Sequence, residues 1–287
     1  DQPFMLLGQT HDYRNHDEEL IKRYVCLGDD FETASTKDRQ GQFADITKSA
    51  DLYLEAPHLP VALTFRDTLG NVPGVFAQPR FAEEVRLSIR GSGLGRNIHL
   101  GGITLLQDGV PINLADGSGD FQEIDPAVIR HIAVYKGANG LVHGASSLGG
   151  AIVVTTPTAL TTERYRFSLD GGSFETRRGT AQMAHKGQGL DVFASVTSAR
   201  ADGWRDNAFG RSKRWASNVG MPLGQRGETR FYLAGNDIRQ RLPGTLTRDD
   251  ALKRPQSTSA ANIANRAARD IDSTRVSNRT TLKLGPG

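Results

Sequence analysis

Three closely spaced glycines follow a short apolar run, and their spacing raises the possibility of phosphate binding. Gly91, Gly93 and Gly95 come directly after Val85–Ile89 in the stretch LSIRGSGLGRN. In dinucleotide-binding enzymes such glycines lead into a helix, whose N-terminus holds the anion. Here the third glycine of that fingerprint is replaced by Arg96, and the following residues are typical of a loop and a strand. The sequence therefore argues against nucleotide binding and predicts a turn between strands.

A second group of reactive side chain types lies near the N-terminus. The stretch HDYRNHDEEL combines two histidines with four carboxylates, namely His11, Asp12, His16, Asp17, Glu18 and Glu19. Their spacing matches no standard set of metal ligands, and runs of this kind are usually solvated. We predict no metal site here, and residues 1–50 remain unassigned.

Nothing else in the chain indicates covalent chemistry. The sequence contains neither G-x-S-x-G nor H-E-x-x-H, and its single cysteine, Cys26, excludes an intramolecular disulfide. We therefore predict that the protein is not an enzyme and that it has no covalently bound cofactor.

Composition favours a β-rich protein without a membrane-spanning helix. The chain has 287 residues, of which 32 are glycine and 37% are hydrophobic, and it contains no apolar run of the length that a spanning helix needs. Strands of an outer-membrane barrel leave a much weaker hydropathy signal, so they remain possible. The net charge is +3, with the excess of basic residues after residue 200. Such a segment suits nucleic acid, a polar pore or anionic lipid headgroups.

Short elements with turn signals fill residues 51–157. FRDTLG predicts a short helix that ends at Gly70, and Pro73-Gly74 predicts a turn. ITLLQDGVPI predicts a hairpin at Asp108-Gly109, since both turn positions tolerate a positive φ. Asp125 followed by Pro126 predicts a helical turn that leads into a strand at His131–Tyr135. Elements this short and this rich in glycine predict that the segment has a poor hydrophobic core of its own. We therefore expect it to be packed inside another structure.

From residue 160 onward, longer segments alternate apolar and polar residues. In YRFSLDGG the side chains of Tyr165, Phe167 and Leu169 alternate with polar ones, and four further segments follow the same rhythm. Five or six consecutive strands of about ten residues are typical of an up-and-down antiparallel barrel. A soluble β-sandwich also alternates, although its strands are usually shorter.

The order of four motifs resembles the plug domain of TonB-dependent outer-membrane receptors. These are PGV (Pro73–Val75), LSIRG (Leu87–Gly91), LLQDGVPI (Leu105–Ile112) and IDPAVIRHIAVYKGANGLVHGASSLGGAIVVTT (Ile124–Thr156). The stretch Asp116–Pro126 is most similar to the ferric-citrate-type branch, and LPGTLT (Leu242–Thr247) resembles a loop that is common in these receptors. The resemblance covers roughly residues 60–287.

The resemblance implies a mixed α/β plug domain (51–157) followed by the start of a transmembrane antiparallel β-barrel (160–287). Family barrels have 22 strands, so the chain is expected to be truncated. The resemblance also implies plug–barrel anchoring. The residues expected to take part are Arg90, Gly91, Asp108, Gly109, Lys136 and Gly137. Arg90 would pair with barrel carboxylates, and Gly91 would let the backbone pass close to the wall.

The sequence departs from the family pattern at several positions. Ala133, Lys136 and Ala138 stand where the family usually has Glu, Arg and Pro, and His143 replaces an aromatic residue. Loss of the Glu removes one expected ion pair between plug and barrel. No TonB box is recognisable in residues 1–50.

The implied function is energised uptake of a scarce ligand, most often a ferric siderophore or a similar Fe(III) chelate. The implied partners are that chelate, the TonB–ExbB–ExbD energy complex and outer-membrane lipid. The implied state is a monomer in the outer membrane of a Gram-negative bacterium. We expect ligand contacts from two polar plug loops, through Arg96, Asn97, His99, Asn113, Asp116 and Asp120. A cationic Arg96 suits an anionic chelate, although a purely structural ion pair is the alternative, and His99 and His143 are minor candidates as metal or haem ligands.

Two other classes remain open at this point. An exported soluble β-rich binding or adhesion module would share the alternation and the glycine content. A nucleic-acid-binding protein would use the basic end, but it would need aromatic residues or a recognition helix among the arginines, and the sequence shows neither. Within the receptor class, haem, cobalamin and sugar uptake are alternatives to the siderophore.

Overall fold

The chain folds into two compact units. The computed structural model describes residues 53–55, 64–70, 72–80, 82–92, 101–144, 147–224 and 226–283. The first unit contains the described residues up to Gln78 together with Val85–Thr156. The second contains Pro79–Glu84 and the chain from Pro157 onward. The ligand candidates Arg96, Asn97 and His99 lie outside the described residues.

In the described part of the first unit there are seven short strands and one short α-helix. The strands are β1 (Tyr53–Glu55), β2 (Val75–Pro79), β3 (Val85–Ile89), β4 (Ile103–Gln107), β5 (Val110–Pro111), β6 (His131–Lys136) and β7 (Gly150–Thr155). Five of them form a sheet in the order β1-β6-β7-β4-β5, while β2 and β3 form a separate pair. β4 and β7 run parallel, and the other pairs of the five-stranded sheet are antiparallel. This mixed sheet confirms the predicted α/β class.

The predicted helix forms at α1 (Phe65–Leu69) and ends at Gly70. A capping box fixes its start, since the Thr64 hydroxyl accepts from the Arg66 N–H at 3.2 Å and the Asp67 carboxylate accepts from the Thr64 N–H at 2.8 Å. These bonds satisfy donors that a helix N-terminus leaves free. α1 buries Phe65 and Leu69 in the core.

The predicted hairpin forms at Asp108-Gly109. Gln107 of β4 pairs with Val110 of β5. Both turn residues have positive φ, +56° at Asp108 and +85° at Gly109, which is the signature of the tight turn that joins two antiparallel strands. The predicted turn after Asp125 also forms, as a 3₁₀ helix over Pro126–Val128. The Asp125 carboxylate accepts a hydrogen bond from the Ala127 N–H at 2.9 Å and so caps this helix.

The first unit has a core of its own. Its fully buried members include Leu69, Ile89, Ile103, Leu105, Ile132 and Ile152. These apolar side chains come from the helix and from four strands, so short elements together make a continuous cluster. The expectation of a poor independent core was therefore wrong, because β-branched and leucine side chains from distant segments meet in one place.

Over its described residues, the second unit contains six long antiparallel strands. They are β8 (Tyr165–Gly172), β9 (Thr176–Lys186), β10 (Asp191–Ala201), β11 (Gly210–Pro222), β12 (Gly227–Arg241) and β13 (Ala268–Leu282). Each pairs with the strand that follows it, so the sheet has the simple order β13-β12-β11-β10-β9-β8. The segment between β12 and β13 carries two short helices, α2 (Arg248–Lys253) and α3 (Ala260–Ala264). The predicted up-and-down arrangement is confirmed.

In this sheet the buried face is polar and the exposed face is apolar, which is the reverse of a soluble β-sandwich. One face, which we call the polar face, buries Arg178, Thr180, Gln182, Asp191, Ser195, Thr197, Ser212, Arg214, Asn218, Arg230, Asn236 and Gln240. The opposite face, which we call the apolar face, exposes Tyr165, Phe167, Leu169, Met183, Val196, Trp215, Phe231, Leu233, Val276 and Leu282. Exposed apolar residues that alternate with buried polar ones are typical of strands whose outer surface meets lipid. Among the described residues, no helix has the length and apolar character to cross a membrane.

Candidate functional site: the polar face and the segment that binds to it

Buried ion pairs hold the polar face together. The Arg178 Nε donates to Asp170 Oδ2 at 3.0 Å across β8 and β9. Arg230 donates to both oxygens of Asp191 at 2.7 Å and to Asn218 Oδ1 at 2.8 Å. Bidentate pairs of this kind are strong and directional when they are shielded from water. They give the polar face a fixed geometry.

The segment Pro79–Glu84, which connects β2 and β3, attaches to the polar face through two adjacent carboxylates. Glu83 forms an ion pair with Arg214 and accepts from the Ser212 hydroxyl at 3.0 Å. The Arg214 side chain is only 4% exposed, so Glu83 neutralises a cation that water hardly reaches. An unpaired charge at this position would be strongly unfavourable.

Glu84 adds a second set of contacts beside the first. It pairs with Arg80 at 2.9 Å and with Arg269 of β13 at 3.5 Å. The two glutamates therefore reach β11 and β13, two strands that are not adjacent in the sheet. Sequence reasoning missed this arrangement. The available signals were the FAEE stretch and the alternation in SKRWASN, which puts Arg214 on the same face as Ser212 and Asn218.

Arg205 organises the two long loops at the same end of the sheet. Its guanidinium donates to the carbonyls of Gly244 at 2.6 Å and of Ser257 at 2.8 Å. Asp206 and Gln256 are also joined, by a backbone hydrogen bond of 2.8 Å. Burial lowers the pKa of Arg205 from its ordinary value, which reflects partial removal of the guanidinium from water. One side chain thus fixes the loop before β11 to the loop before β13.

The three described ligand candidates lie in one compact loop of the first unit, where their polar atoms support the backbone. Asn113 accepts from the Leu105 N–H at 2.6 Å and donates to the carbonyls of Ile103 and Gly117. Asp116 accepts from the N–H and hydroxyl of Ser118, at 2.9 and 2.6 Å.

Asp120, the third of these candidates, accepts from the Gln122 N–H at 2.9 Å and caps a 3₁₀ turn. These bonds give the loop a fixed shape, and they occupy both amide hydrogens of Asn113. Ligand contact by these three residues stays a prediction.

Three of the anchoring candidates meet around the Pro73-Gly74 turn. The Arg90 N–H donates to the Gly74 carbonyl at 2.8 Å, and the Lys136 ammonium donates to the Pro73 carbonyl at 3.4 Å. A Cβ on Gly137 would lie 3.3 Å from the Arg90 guanidinium. No ion pair to Arg90 occurs in the part of the chain that the structure describes, so its pairing with a barrel carboxylate stays a prediction.

Gly91 has a conformational reason to be glycine. It has a φ of +86°, and within the described ranges nothing lies within 4 Å of the position that a Cβ would take. Together with Arg90, at φ +51°, it forms the turn predicted from the glycine-rich stretch. A positive φ at two successive residues favours glycine at the second.

Asp108, the first residue of the Asp108-Gly109 turn, joins two strands inside the first unit. The buried Asp108 carboxylate accepts from the Thr156 N–H at 2.8 Å and from the Thr156 hydroxyl at 2.9 Å. This joins the end of β4 to the end of β7 across the parallel pair. The contact with a barrel that the resemblance implies for Asp108 and Gly109 stays a prediction.

His131 and His143, the two histidines among the described residues of the first unit, belong to no metal site there. Burial, aided by Arg130, lowers the pKa of His131 to about 4, so His131 is neutral at physiological pH. His143 packs edge-on against Tyr135, with ring centroids 4.5 Å apart. Over the described ranges, no group of three or more His, Cys, Asp and Glu side chains is arranged to hold a metal ion.

Comparison with known proteins finds a known domain family in one part of the chain. Residues 58–151 match the family model described as the TonB-dependent Receptor Plug Domain. The vitamin B12 transporter BtuB of Vibrio vulnificus (strain CMCP6) is 30% identical over 112 residues, which are 39% of this chain and 18% of that protein.

Two solved structures share the fold at low sequence identity. The ferric citrate transporter FecA in its unliganded form is 17% identical with a TM-score of 0.61, over 77% of this chain and 36% of FecA. The ferric yersiniabactin uptake receptor FyuA from Yersinia pestis is 20% identical with a TM-score of 0.62, over 81% of this chain and 38% of FyuA.

The chain thus spans less than two fifths of the length of each of these relatives. The matched plug domain lies in the segment that the sequence motifs indicated, and the six antiparallel strands follow it as they do in the solved receptor folds. Residues 58–151 therefore resemble a TonB-dependent receptor plug domain, and the chain as a whole shares the fold of part of the solved receptors.

Proposed function

We propose that this chain is part of a TonB-dependent transporter that takes up a ferric siderophore or a ferric-citrate-like chelate across the outer membrane. The observation that carries the proposal is the polar face of the six-stranded sheet. Arg178, Arg214 and Arg230 are buried there at 7%, 5% and 4% exposure. Each of these three is paired with a carboxylate, and further arginines on β13 add positive charge to the same face. A face with this excess of arginine, behind strands with an apolar exterior, suits the passage of an anionic solute.

The strand β13 extends this positive character. Arg269, Arg275 and Arg279 alternate along it on the polar face, and Arg279 is directly opposite Arg230 in register. Many ferric chelates are anionic, and guanidinium groups bind carboxylates through paired hydrogen bonds. FecA and FyuA, whose folds this chain shares, are named for ferric ligands. Both lines of support favour an iron chelate over a neutral sugar.

Cobalamin is the second candidate ligand, because a relative that is 30% identical over 112 residues is named as a vitamin B12 transporter. Haem uptake would use the same fold. In all these cases the role is transport without covalent chemistry, driven by TonB with ExbB and ExbD. From the resemblance to TonB-dependent receptors we also infer an outer-membrane location and a monomeric state.

Uptake of labelled ligands tests the proposal directly. The complete gene is expressed in a Gram-negative host that lacks its own receptors, in strains with and without TonB. We expect TonB-dependent accumulation of radioactive iron supplied as ferric citrate or as a siderophore complex. TonB-dependent uptake of labelled cobalamin without iron uptake would overturn the ligand assignment. Absence from the outer-membrane fraction would overturn the receptor role itself.

A charge-removing variant separates the two ligands. Arg275→Gln with Arg279→Gln removes two cations from the polar face, and we expect the affinity for ferric citrate to fall at least tenfold. Cobalamin carries less negative charge, so its uptake should change little if it is the true ligand. Arg226→Gln with Arg248→Gln, two exposed arginines outside the strands, is the matched control and should leave both activities unchanged.

A further inference from the structure

A groove of about 550 Å³ lies on the apolar face of the second unit. Phe167 and Leu169 of β8 form one side of it and Trp215 of β11 forms the other. The small Ala181 and Val196 lie between them on β9 and β10. In register, Phe167 pairs with Ala181, Ala181 with Val196, and Val196 with Trp215. The groove therefore runs across four neighbouring strands along one row of residues, with large side chains at its two ends and small ones in the middle.

The position of the Trp215 ring keeps this groove open. A Cβ on Gly235 of β12 would lie 2.4 Å from Trp215 Cζ2, so the indole rests against the backbone of β12 and away from Val196. Phe167 and Val196 remain 76% and 58% exposed. An apolar channel of this size on a membrane-facing surface fits a hydrocarbon chain.

Basic residues cross the sheet directly beyond the groove. Arg177, Arg200, Arg211 and Arg239 are opposite one another in register on four neighbouring strands. Lys213 lies two residues from Arg211 on the same face, next to Ser198 in register. Like charges directly opposite one another destabilise a sheet, so this row needs counterions.

Nearby carboxylates neutralise only part of the row. Arg177 pairs with Glu175 and Arg200 with Asp202. Arg239 pairs with Asp272 at 2.9 Å and with Asp237 at 3.3 Å, although Asp237 is opposite Lys213 in register.

Throughout the described ranges, neither Arg211 nor Lys213 forms an ion pair. Two cations without a protein counterion thus stand immediately above the groove, between Trp215 and the loop that precedes β11. A negatively charged group is needed to balance these two cations. A ligand whose apolar part occupies the groove would supply it.

We propose that this groove with Arg211 and Lys213 binds a phosphorylated acyl lipid of the outer leaflet, of the lipid A type. Its phosphate would accept from the guanidinium of Arg211 and the ammonium of Lys213, and one acyl chain would lie between Phe167 and Trp215. The arginine row is at the end of the sheet that carries the long loops, 202–209 and 242–267. In outer-membrane barrels that end faces outward, which selects the outer leaflet. The inference rests on the membrane location in the proposed function.

Lipid retention by the complete receptor tests this site. The receptor is purified from outer membranes in mild detergent, and bound lipid is counted by native mass spectrometry after titration with bisphosphorylated lipid A. We expect one tightly bound lipid A per receptor. Arg211→Gln with Lys213→Gln should weaken its binding at least tenfold, and Ala181→Phe, which fills the groove, should do the same. Lipid A without phosphates and phosphatidylglycerol should each bind at least tenfold more weakly than bisphosphorylated lipid A.

A matched control has the same change in charge. Lys253→Gln with Arg254→Gln removes two exposed cations where α2 ends, at the same end of the sheet, and should leave lipid binding unchanged. Equal retention by the Arg211/Lys213 variant and the wild type would overturn the proposal, as would equal binding of dephosphorylated lipid A or of phosphatidylglycerol. Chelate uptake measured in the same strains separates the two hypotheses. A receptor that transports iron but binds no lipid A refutes only the lipid site, whereas one missing from the outer membrane refutes the proposed function.

Discussion

Arg230 and Asp191 form a bidentate ion pair that passes over an intervening strand. Asp191 lies on β10 and Arg230 on β12, and both are opposite Gly220 of β11 in register. A Cβ on Gly220 would lie 2.1 Å from Arg230 Nη2 and 2.4 Å from Asp191 Oδ2. The absence of a side chain on one strand is therefore what lets two charged groups on its neighbours meet.

We predict that Gly220→Ala destabilises the folded receptor by about 3 kcal/mol, because it separates a buried ion pair. Thermal unfolding in detergent measures the loss. Gly179→Ala is the control, since a Cβ there would meet Leu169 at an ordinary contact distance of 3.4 Å, and its unfolding temperature should match the wild type. Equal stability of both variants would contradict this account of Gly220.

The Glu83–Arg214 pair should show strong energetic coupling. In a double-mutant cycle with Glu83→Gln and Arg214→Gln we expect a coupling free energy of about 1–3 kcal/mol, because the pair is shielded and a single substitution leaves an uncompensated charge. The same cycle on Glu175 and Arg177, whose side chains are 60% and 78% exposed, should give a value close to zero. Denaturant unfolding supplies the four free energies. Additivity at Glu83 and Arg214 would show that the contact contributes nothing.

Arg205→Lys should loosen the two long loops. A lysine keeps the charge but loses the planar set of donors that reaches two carbonyls at once. We expect amide hydrogen exchange to accelerate at least tenfold at Asp206 and around Ser257, where the bridging bonds form. Arg254→Lys, on the exposed end of α2, serves as the control. Unchanged exchange in Arg205→Lys would mean that the backbone bonds alone hold the loops.

Asp108→Ala should weaken the join between β4 and β7. It removes every acceptor for the Thr156 N–H and hydroxyl and puts an alanine at φ +56°. We expect a loss of about 2–4 kcal/mol, since both a buried donor and the backbone conformation are affected. Asp108→Asn keeps one carbonyl acceptor and tolerates the positive φ, so it should lose about half as much. Exchange of the Thr156 amide reports the effect locally, and equal protection in both variants would contradict it.

His131 should make the stability of the first unit depend on pH. Its pKa is about 4 in the folded protein, against an ordinary value of 6.5. Between these values the unfolded chain binds the proton more readily, so stability is full above pH 6.5 and falls as the pH decreases toward 4. His131→Gln should flatten this slope over that range. A titration of the His131 ring by NMR with a midpoint near 6.5 would contradict the prediction.

Local patterns in the sequence were enough to predict most elements of the first unit. The Asp108-Gly109 hairpin, the helix ending at Gly70 and the turn after Asp125 each depend on residues next to one another. The alternation in β8–β13 also predicted the sheet. The core of the first unit was misjudged because Leu69, Ile103 and Ile152 come from segments that only the fold brings together.

The candidate site was harder to predict for the same reason. Glu83 and Arg214 are 131 positions apart, and no local pattern relates them. Asn113, Asp116 and Asp120 were selected as polar residues of a loop, and the loop uses all three to support its own backbone. Chemical type alone does not distinguish a side chain that is available to a ligand from one already engaged by its neighbours.

The strands of the second unit lengthen along the sheet, from 8 residues in β8 to 15 in β13. At roughly 3.3 Å per residue the difference is about 23 Å. In register, Asp270 is level with Gly171 near the long loops, and Val276 is level with Tyr165 at the opposite end. Six of the seven additional residues of β13 therefore lie at the end with the short turns. The strands end almost level beside the long loops, whereas at the short-turn end β12 and β13 extend well beyond β8 and form a stepped rim.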